Sequence, residues 1–277
     1  MALVPFPNKA AIRPNPDADP DWDEDPSDDG VGKMSFLEHL DELRKRILNS
    51  VIAIAVGVVV SFFFIERIFH FIMEPTLASL PEGSRMIYTQ PQEAFSRYIA
   101  VALLSGIIFA APFIMWQVWR FIAPGLYTNE KKLAIPFVLL STGGFVGGAA
   151  FSHFIAFPLM NRFFASFNSP DLLYMPRLSD VFGLYAKMVL ATGLIFQMPT
   201  VVLFLARMQM ITARFLVKQF KMAVLIIFIL AAVITPDGNP MGQAIMAAPM
   251  LGLYGLSILI AWIVGPKRRT GAQNDTG

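Results

Sequence analysis

Long apolar stretches constrain this chain more than any other feature, because each one approaches the length of a membrane-spanning helix. Crossing a bilayer takes about 20 predominantly apolar residues in a helix, and residues 47–65 form the first such stretch without a single charge. Hydrophobic residues make up 55% of the chain and charged residues 15%, against about 25% charged in soluble domains. We therefore predict an all-α membrane protein with six transmembrane helices. The six predicted spans are residues 47–65, 98–118, 133–157, 188–206, 222–234 and 244–264.

The distribution of basic residues predicts the orientation of these spans. Between residues 33 and 269, fourteen lysines and arginines lie on the side of the first span's N-terminal end and six on the other side, and an excess of basic residues near the spans marks the cytoplasmic side. The fifth span has only 13 residues, but it must cross, because otherwise the basic residues after the sixth span would lie on the wrong side. Both termini are therefore predicted to lie in the cytoplasm.

The remaining segments divide the chain further. Residues 1–33 carry eight acidic residues and few large apolar ones, a composition typical of disorder. We predict a disordered acidic N-terminal tail over residues 1–33, a membrane domain over 34–266 and a cytoplasmic tail over 267–277. The two longer loops of the other side, residues 66–96 and 158–181, combine prolines with large apolar residues. They are expected to form short helices and turns that cap the external face.

The segment directly before the first span places acids and bases together. On a helix, Glu42 would pair with Arg46 and Asp41 with Lys45, because each pair is four residues apart. Such pairs contribute only about 0.3–0.5 kcal/mol each. From spacing alone, an ordinary charged helix surface is therefore favoured over a binding site.

Glu130, in the loop before the third span, allows two interpretations. Its carboxylate would complement the dipole of a helix that begins at Thr128. Alternatively, Glu130 and Glu42 lie on one membrane face as two acceptors for guanidinium groups, which carboxylates bind through paired hydrogen bonds.

Inside the predicted spans, Gln197 is the most conspicuous polar residue, because it lies beside Pro199 in the middle of the fourth span. Its amide either belongs to a functional site or hydrogen-bonds a neighbouring helix. Close helix packing is expected at the four glycines of the third span, which are Gly143, Gly144, Gly147 and Gly148.

The sequence contains no catalytic or cofactor motif. It has no cysteine and only three scattered histidines, and it lacks the glycine loop of nucleotide sites and the nucleophile turn of hydrolases. We therefore predict neither an enzyme nor a cofactor. The basic residues lie in clusters between apolar stretches, so we do not predict a nucleic-acid partner either. A secondary transporter of a small solute is the alternative, although it would be expected to show two repeated halves and a charged site at mid-depth.

Several motifs occur in a fixed order along the chain. They are His39-Leu-x-Glu42-Leu-Arg-Lys-Arg46, Pro75-Thr-Leu, Pro91-x-Glu-x-Phe95, Ala111-Pro-x-x-x-x-Gln-Val-Trp-x-Phe-Ile-Ala-Pro-Gly-Leu-Tyr127 followed by Glu130-Lys-Lys, and Thr235-Pro236-Asp237. In this series the chain resembles the TatC family, the multi-spanning core subunits of the twin-arginine protein translocase. The resemblance covers about residues 34–266.

The resemblance implies a curved, glove-like bundle of six helices with both termini in the cytoplasm and with external cap loops. It also implies a cytoplasmic site for the Arg-Arg pair of a signal peptide. The residues that match this site are Glu42, Arg44, Phe121 and Glu130. Pro75 matches a residue of the external cap that supports function through structure.

Partners and location follow from the same resemblance. It implies folded precursors with Arg-Arg signal peptides, the single-span subunits TatA and TatB, self-association in a larger complex, and the bacterial cytoplasmic membrane. It implies that partner subunits dock at Gln197, Thr235 and Gln243. It also implies that the proton motive force supplies the energy for transport. Two positions depart from the family pattern. Gln197 stands where many members have glutamate, so obligatory proton binding is not implied there, and Asp237 competes with Asn239 for an acidic position.

Overall fold

The computed structural model describes residues 36–122, 134–169, 171, 173–235 and 240–265, and the predicted tails lie outside them. Within these residues the chain is helical, apart from turns, loops and one isolated pair of bridged residues. The α-helices are α1 (Phe36–Phe63), α2 (Ile65–Leu77), α3 (Glu93–Ile122), α4 (Ala134–Phe151), α5 (Phe157–Ala165), α6 (Leu178–Ile195), α7 (Met198–Arg207), α8 (Ala213–Lys218), α9 (Phe220–Ile234) and α10 (Pro240–Val264). A π-helical turn, Ser152–Ala156, joins α4 to α5.

In the described part of the chain, five helical segments are long and apolar enough to cross a membrane. They are Leu37–Phe63, Glu93–Ile122, Ile135–Ala165, Leu178–Arg207 and Pro240–Val264. The shorter α9 has 15 residues, which corresponds to about 22 Å at 1.5 Å per residue, less than the hydrocarbon thickness of about 30 Å. Each predicted span overlaps one of these helices, so the prediction of an all-α membrane fold is confirmed.

Two of the spans are interrupted beside a proline. The fourth span breaks between α6 and α7, close before Pro199, which has no N–H to donate to the carbonyl of Ile195. In the third span the π-helical turn ends two residues before Pro158. This proline likewise leaves the carbonyl of Phe154 without its usual helical donor. Gln197 therefore lies at the interruption of the fourth span.

Contacts between helix ends define two faces of the unit formed by residues 41–265. On the face that carries Arg46 of α1, called the N-terminal face, Arg46 contacts Gln117 near the end of α3. The ring of Trp119 on α3 lies 4.9 Å from that of Phe137 on α4 and 6.2 Å from that of Phe204 on α7. The ends of α3 and α7 and the start of α4 therefore meet on this face.

On the opposite face, two segments between helices hydrogen-bond to each other. The N–H of Ile87 donates to the carbonyl of Pro176 at 3.1 Å, and the N–H of Leu178 donates to the carbonyl of Ile87 at 2.8 Å. The buried carboxylate of Glu93 accepts main-chain N–H bonds from both segments, at 3.0 and 2.8 Å. We call Ile87, Glu93 and residues 176–179 the loop clamp. The prediction of packed helices and turns in the two longer loops is confirmed.

Glycines set the distance between α4 and α6. A Cβ atom at Gly148 would lie 2.6 Å from the carbonyl oxygen of Thr192, and one at Gly144 would lie 2.9 Å from that of Phe196. The hydroxyl of Thr192 lies 2.9 Å from the carbonyl oxygen of Gly148 and 2.7 Å from that of Met188 in its own helix. In contrast, a Cβ at Gly143 would have no neighbour within 4 Å. The predicted close packing is therefore confirmed at Gly144 and Gly148, whereas Gly143 faces open space.

Candidate functional site

The first turns of α1 hold an ion pair at the N-terminal face. Nη2 of Arg46 donates to Oε1 of Glu42 at 2.6 Å, and the two side chains are 15% and 12% exposed. This is the predicted pair at i,i+4. Asp41 and Lys45, the second predicted pair, are both exposed, and no ion pair joins them in the described structure. Burial of the first pair places Glu42 in a different environment from its neighbouring acids.

The pair continues into a buried amide on α3. Nη1 of Arg46 donates to Oε1 of Gln117 at 3.4 Å, and Gln117 is only 3% exposed. We call Glu42, Arg46 and Gln117 the acid–base–amide cluster. Gln117 was not singled out from the sequence, although its polarity inside the second predicted span was a signal for it, since polar groups in membrane spans are usually functional or structural.

The second carboxylate oxygen of Glu42 distinguishes this cluster from a closed ion pair. Oε2 of Glu42 is buried and accepts no hydrogen bond from the residues that the structure describes, and Nε of Arg46 is likewise buried and unbonded among them. A buried carboxylate oxygen without a donor is costly. The oxygen is therefore suited to accept a donor that comes from outside the described chain.

Of the other three residues assigned to this site, two lie within the described residues and one does not. Phe121 lies in the last turn of α3, one turn after Gln117, and is partly buried. Arg44 is exposed on α1. Glu130 lies outside the described residues, so its convergence with Glu42 stays a prediction.

Gln197 lies at the break between α6 and α7 and bonds to a neighbouring helix. Its Nε2 donates to the carbonyl of Ser141 on α4 at 2.8 Å. Of the two interpretations of Gln197, the interhelical hydrogen bond is therefore realised, and partner docking there stays a prediction.

Replacing Gln197 with leucine is expected to lower the free energy of unfolding by about 1 kcal/mol, because one interhelical hydrogen bond is lost. The measurement is an SDS titration of the purified protein in mixed micelles. Gln219→Leu, at an exposed glutamine, makes the same change in polarity and is expected to leave stability unaltered. Equal stability of all three proteins would show that the bond to Ser141 contributes nothing.

The remaining assigned positions lie around the end of α9 and the start of α10. Thr235 is buried at the end of α9, and its hydroxyl donates to the carbonyl of Ala231 at 2.8 Å. Gln243 lies in the first turn of α10 and is partly buried. Asp237 lies outside the described residues. The donor of Thr235 is therefore used within its own helix, and docking at this end stays a prediction.

Pro75 lies in the last turn of α2, on the opposite face. The next residue, Thr76, is fully buried, and its hydroxyl oxygen accepts a hydrogen bond from Nδ2 of Asn161 on α5 at 3.0 Å. This contact ties α2 to α5 beside Pro75. The surroundings agree with the structural role that the resemblance implies for this proline.

The helices and the acid–base–amide cluster define a multi-span α-helical membrane protein with a polar site at one face. The chain belongs to the TatC family, because the family model described as Sec-independent protein translocase protein (TatC) matches residues 38–249. A TatC protein of Desulforapulum autotrophicum is 42% identical over 85% of this chain and 87% of its own length. One of Koribacter versatilis is 36% identical over 92% of this chain and 95% of its own.

Solved structures agree with this assignment. A crystal structure of the twin arginine translocase receptor TatC superposes with a TM-score of 0.72 at 36% identity, over 81% of this chain and 98% of the other. A second crystal structure of the receptor, in DDM, gives a TM-score of 0.73 at 37% identity over 81% of this chain and 99% of the other. Family and fold therefore agree over nearly the whole membrane domain.

Proposed function

We propose that this protein is the multi-span subunit of a twin-arginine translocase. In this proposal it binds the Arg-Arg signal peptides of folded precursors at its N-terminal face and nucleates assembly of the export site there. The TatC relatives are named Sec-independent protein translocase proteins, and the similar crystal structures are of a twin arginine translocase receptor. The alternative of small-solute transport has no comparable support.

The buried oxygen Oε2 of Glu42 carries the assignment of the site. Arginine donates strong, charge-assisted hydrogen bonds to carboxylates, and Arg46 already occupies Oε1 of this carboxylate. An incoming guanidinium has Oε2 as its acceptor and relieves the cost of leaving it unbonded. Glu42 thus has the chemistry to receive one arginine of the pair.

The second arginine is assigned to Glu130, with Phe121 beside the peptide and Arg44 supporting the first motif. Phe121 offers an aromatic face on which guanidinium groups stack, and it lies one helical turn from Gln117. We propose that the apolar part of the signal peptide then lies along the helices.

Assembly and energy complete the proposal. TatA and TatB subunits would dock near Gln197, Thr235 and Gln243, several copies of the complex would associate, and the proton motive force would drive transport. The fourteen-to-six distribution of basic residues supports a cytoplasmic N-terminal face in the bacterial inner membrane.

The proposed function is tested by crosslinking from a defined position in inverted membrane vesicles. A photoreactive residue at exposed Asp41, next to Glu42, is expected to crosslink a precursor with an Arg-Arg signal peptide but not the same precursor with Lys-Lys. The matched control is the photoreactive residue at exposed Glu82, between α2 and α3, which is expected to crosslink neither. Equal crosslinking of both precursors, or none at Asp41, would contradict the site, and solute uptake by the reconstituted protein alone would favour the transporter.

A further inference from the structure

A groove lies between α8 and α10, away from the acid–base–amide cluster. It has a volume of about 690 Å³ and is lined by Arg214, Val217 and Lys218 of α8 and by Gly255, Leu259 and Trp262 of α10. The hydroxyl of Tyr254 donates to the carbonyl of Leu216 at 2.8 Å and holds the two helices together. We call this feature the α8–α10 groove.

The walls of the groove are apolar and open. The side chains of Val217, Leu259 and Trp262 are all at least half exposed, and Trp262 reaches 73%. A Cβ atom at Gly255 would have no neighbour within 4 Å, so the missing side chain leaves space above α10. In a bilayer such a surface is covered by acyl chains or by a partner helix.

The lining of the groove carries two cations that form no ion pair with the residues that the structure describes. Arg214 and Lys218 line it, and Arg207 and Lys221 are close along the chain. Among the described residues after Asp180 there is no acidic residue. The groove therefore combines two cations with an apolar wall, and its tryptophan belongs to the residue type that is enriched at the membrane interface.

We propose that the α8–α10 groove binds an anionic phospholipid. The phosphate lies between Arg214 and Lys218, and one acyl chain runs along Val217, Leu259 and Trp262 above Gly255. Basic pockets between membrane helices bind acidic headgroups in this way. An apolar partner helix would leave both cations without a counter-charge, and an Arg-Arg peptide would add charge of the same sign. A lipid with a negative headgroup complements both parts of the groove.

Quenching of Trp262 by brominated lipids tests this proposal. The purified full chain in neutral detergent is titrated with phosphatidylglycerol or phosphatidylcholine brominated on the acyl chains, and the Trp262 signal is the difference between wild type and Trp262→Phe. Phosphatidylglycerol is expected to reach half-quenching at a roughly thirtyfold lower concentration, about fivefold for each cation near the surface. The preference is expected to shrink as salt is raised.

Matched variants locate the lipid. Arg214→Gln combined with Lys218→Gln is expected to abolish the preference, whereas Lys221→Gln, which removes an exposed cation outside the groove lining, leaves most of it. Gly255→Leu is expected to reduce quenching of Trp262 by both lipids while the protein stays folded, because leucine favours a helix over glycine. Gly252→Leu adds the same side chain in open space outside the groove lining and is expected to change nothing.

Three results would overturn the proposal. If both lipids reach half-quenching at the same concentration, lipid covers the groove without selection for the headgroup. A preference that survives Arg214→Gln with Lys218→Gln would mean that the anionic lipid binds elsewhere. An added single-span subunit is expected to leave Trp262 accessible. If it instead protects Trp262 from both lipids, while the other tryptophans keep their lipid preference, the groove is a protein interface.

Discussion

Glu42→Gln is expected to weaken binding of an Arg-Arg signal peptide about tenfold to a hundredfold, since hydrogen bonds to charged groups contribute about 1.5–3 kcal/mol. The amide keeps the shape of the carboxylate, and its oxygen still accepts from Arg46, so the ion-pair geometry of α1 is largely retained. The buried position loses its negative charge, however, and with it the attraction for an incoming guanidinium. The measurement is fluorescence polarisation of a labelled signal peptide on the purified protein in detergent.

The neighbouring acid provides the control for this experiment. Asp41→Asn removes the same charge one residue away, on an exposed side chain, where charge pairs contribute little. It is expected to bind the peptide nearly as the wild type does. Equal losses in Glu42→Gln and Asp41→Asn would mean that only the overall charge of this face matters, and undiminished binding in Glu42→Gln would remove it from the site.

Gly148→Ala is expected to lower the free energy of unfolding by about 1–3 kcal/mol, the usual cost of forcing an extra carbon into a packed site. The added Cβ would lie 2.6 Å from the carbonyl oxygen of Thr192, a main-chain atom that moves only if α4 and α6 separate. The same movement would also lengthen the 2.9 Å contact between the hydroxyl of Thr192 and the carbonyl oxygen of Gly148. Unfolding is followed by SDS titration in mixed micelles.

Gly143→Ala makes the identical chemical change at a position where the Cβ meets nothing within 4 Å. Because alanine favours a helix over glycine by up to about 1 kcal/mol, this variant is expected to be as stable as the wild type or slightly more so. If both variants lose the same stability, the distance between α4 and α6 is not set by Gly148.

Much of the fold was predictable because the spans are surrounded by lipid and not by water. In lipid a crossing segment must satisfy its own backbone hydrogen bonds, so apolar length alone indicates a helix. The helix ends were less predictable. α3 begins at Glu93, five residues before the predicted start of the second span, because hydropathy reports the apolar part of a helix and not its continuation into the interface.

The candidate site was predictable only in its local part. Glu42 and Arg46 pair because of their spacing on one helix, whereas the contact from Arg46 to Gln117 joins residues 71 positions apart. That contact depends on the crossing of α1 and α3, where a Cβ at Gly57 would lie 2.6 Å from the carbonyl oxygen of Gly106. No local pattern reports which helices cross, so the contact of Gln117 with Arg46 could not be predicted from the neighbourhood of either residue.

The loop clamp holds one end of α3, whereas the candidate site lies near its other end. Its main-chain and carboxylate bonds fix the start of α3 against the start of α6, while Gln117 and Phe121 lie near the other end of a 30-residue helix. Such a helix is about 45 Å long. A tilt of about 3° around the fixed end therefore moves the distant end by roughly 2 Å. Because Trp119 near that end packs on Phe137 of α4 at 4.9 Å between ring centroids, such a tilt would carry the start of α4 with it.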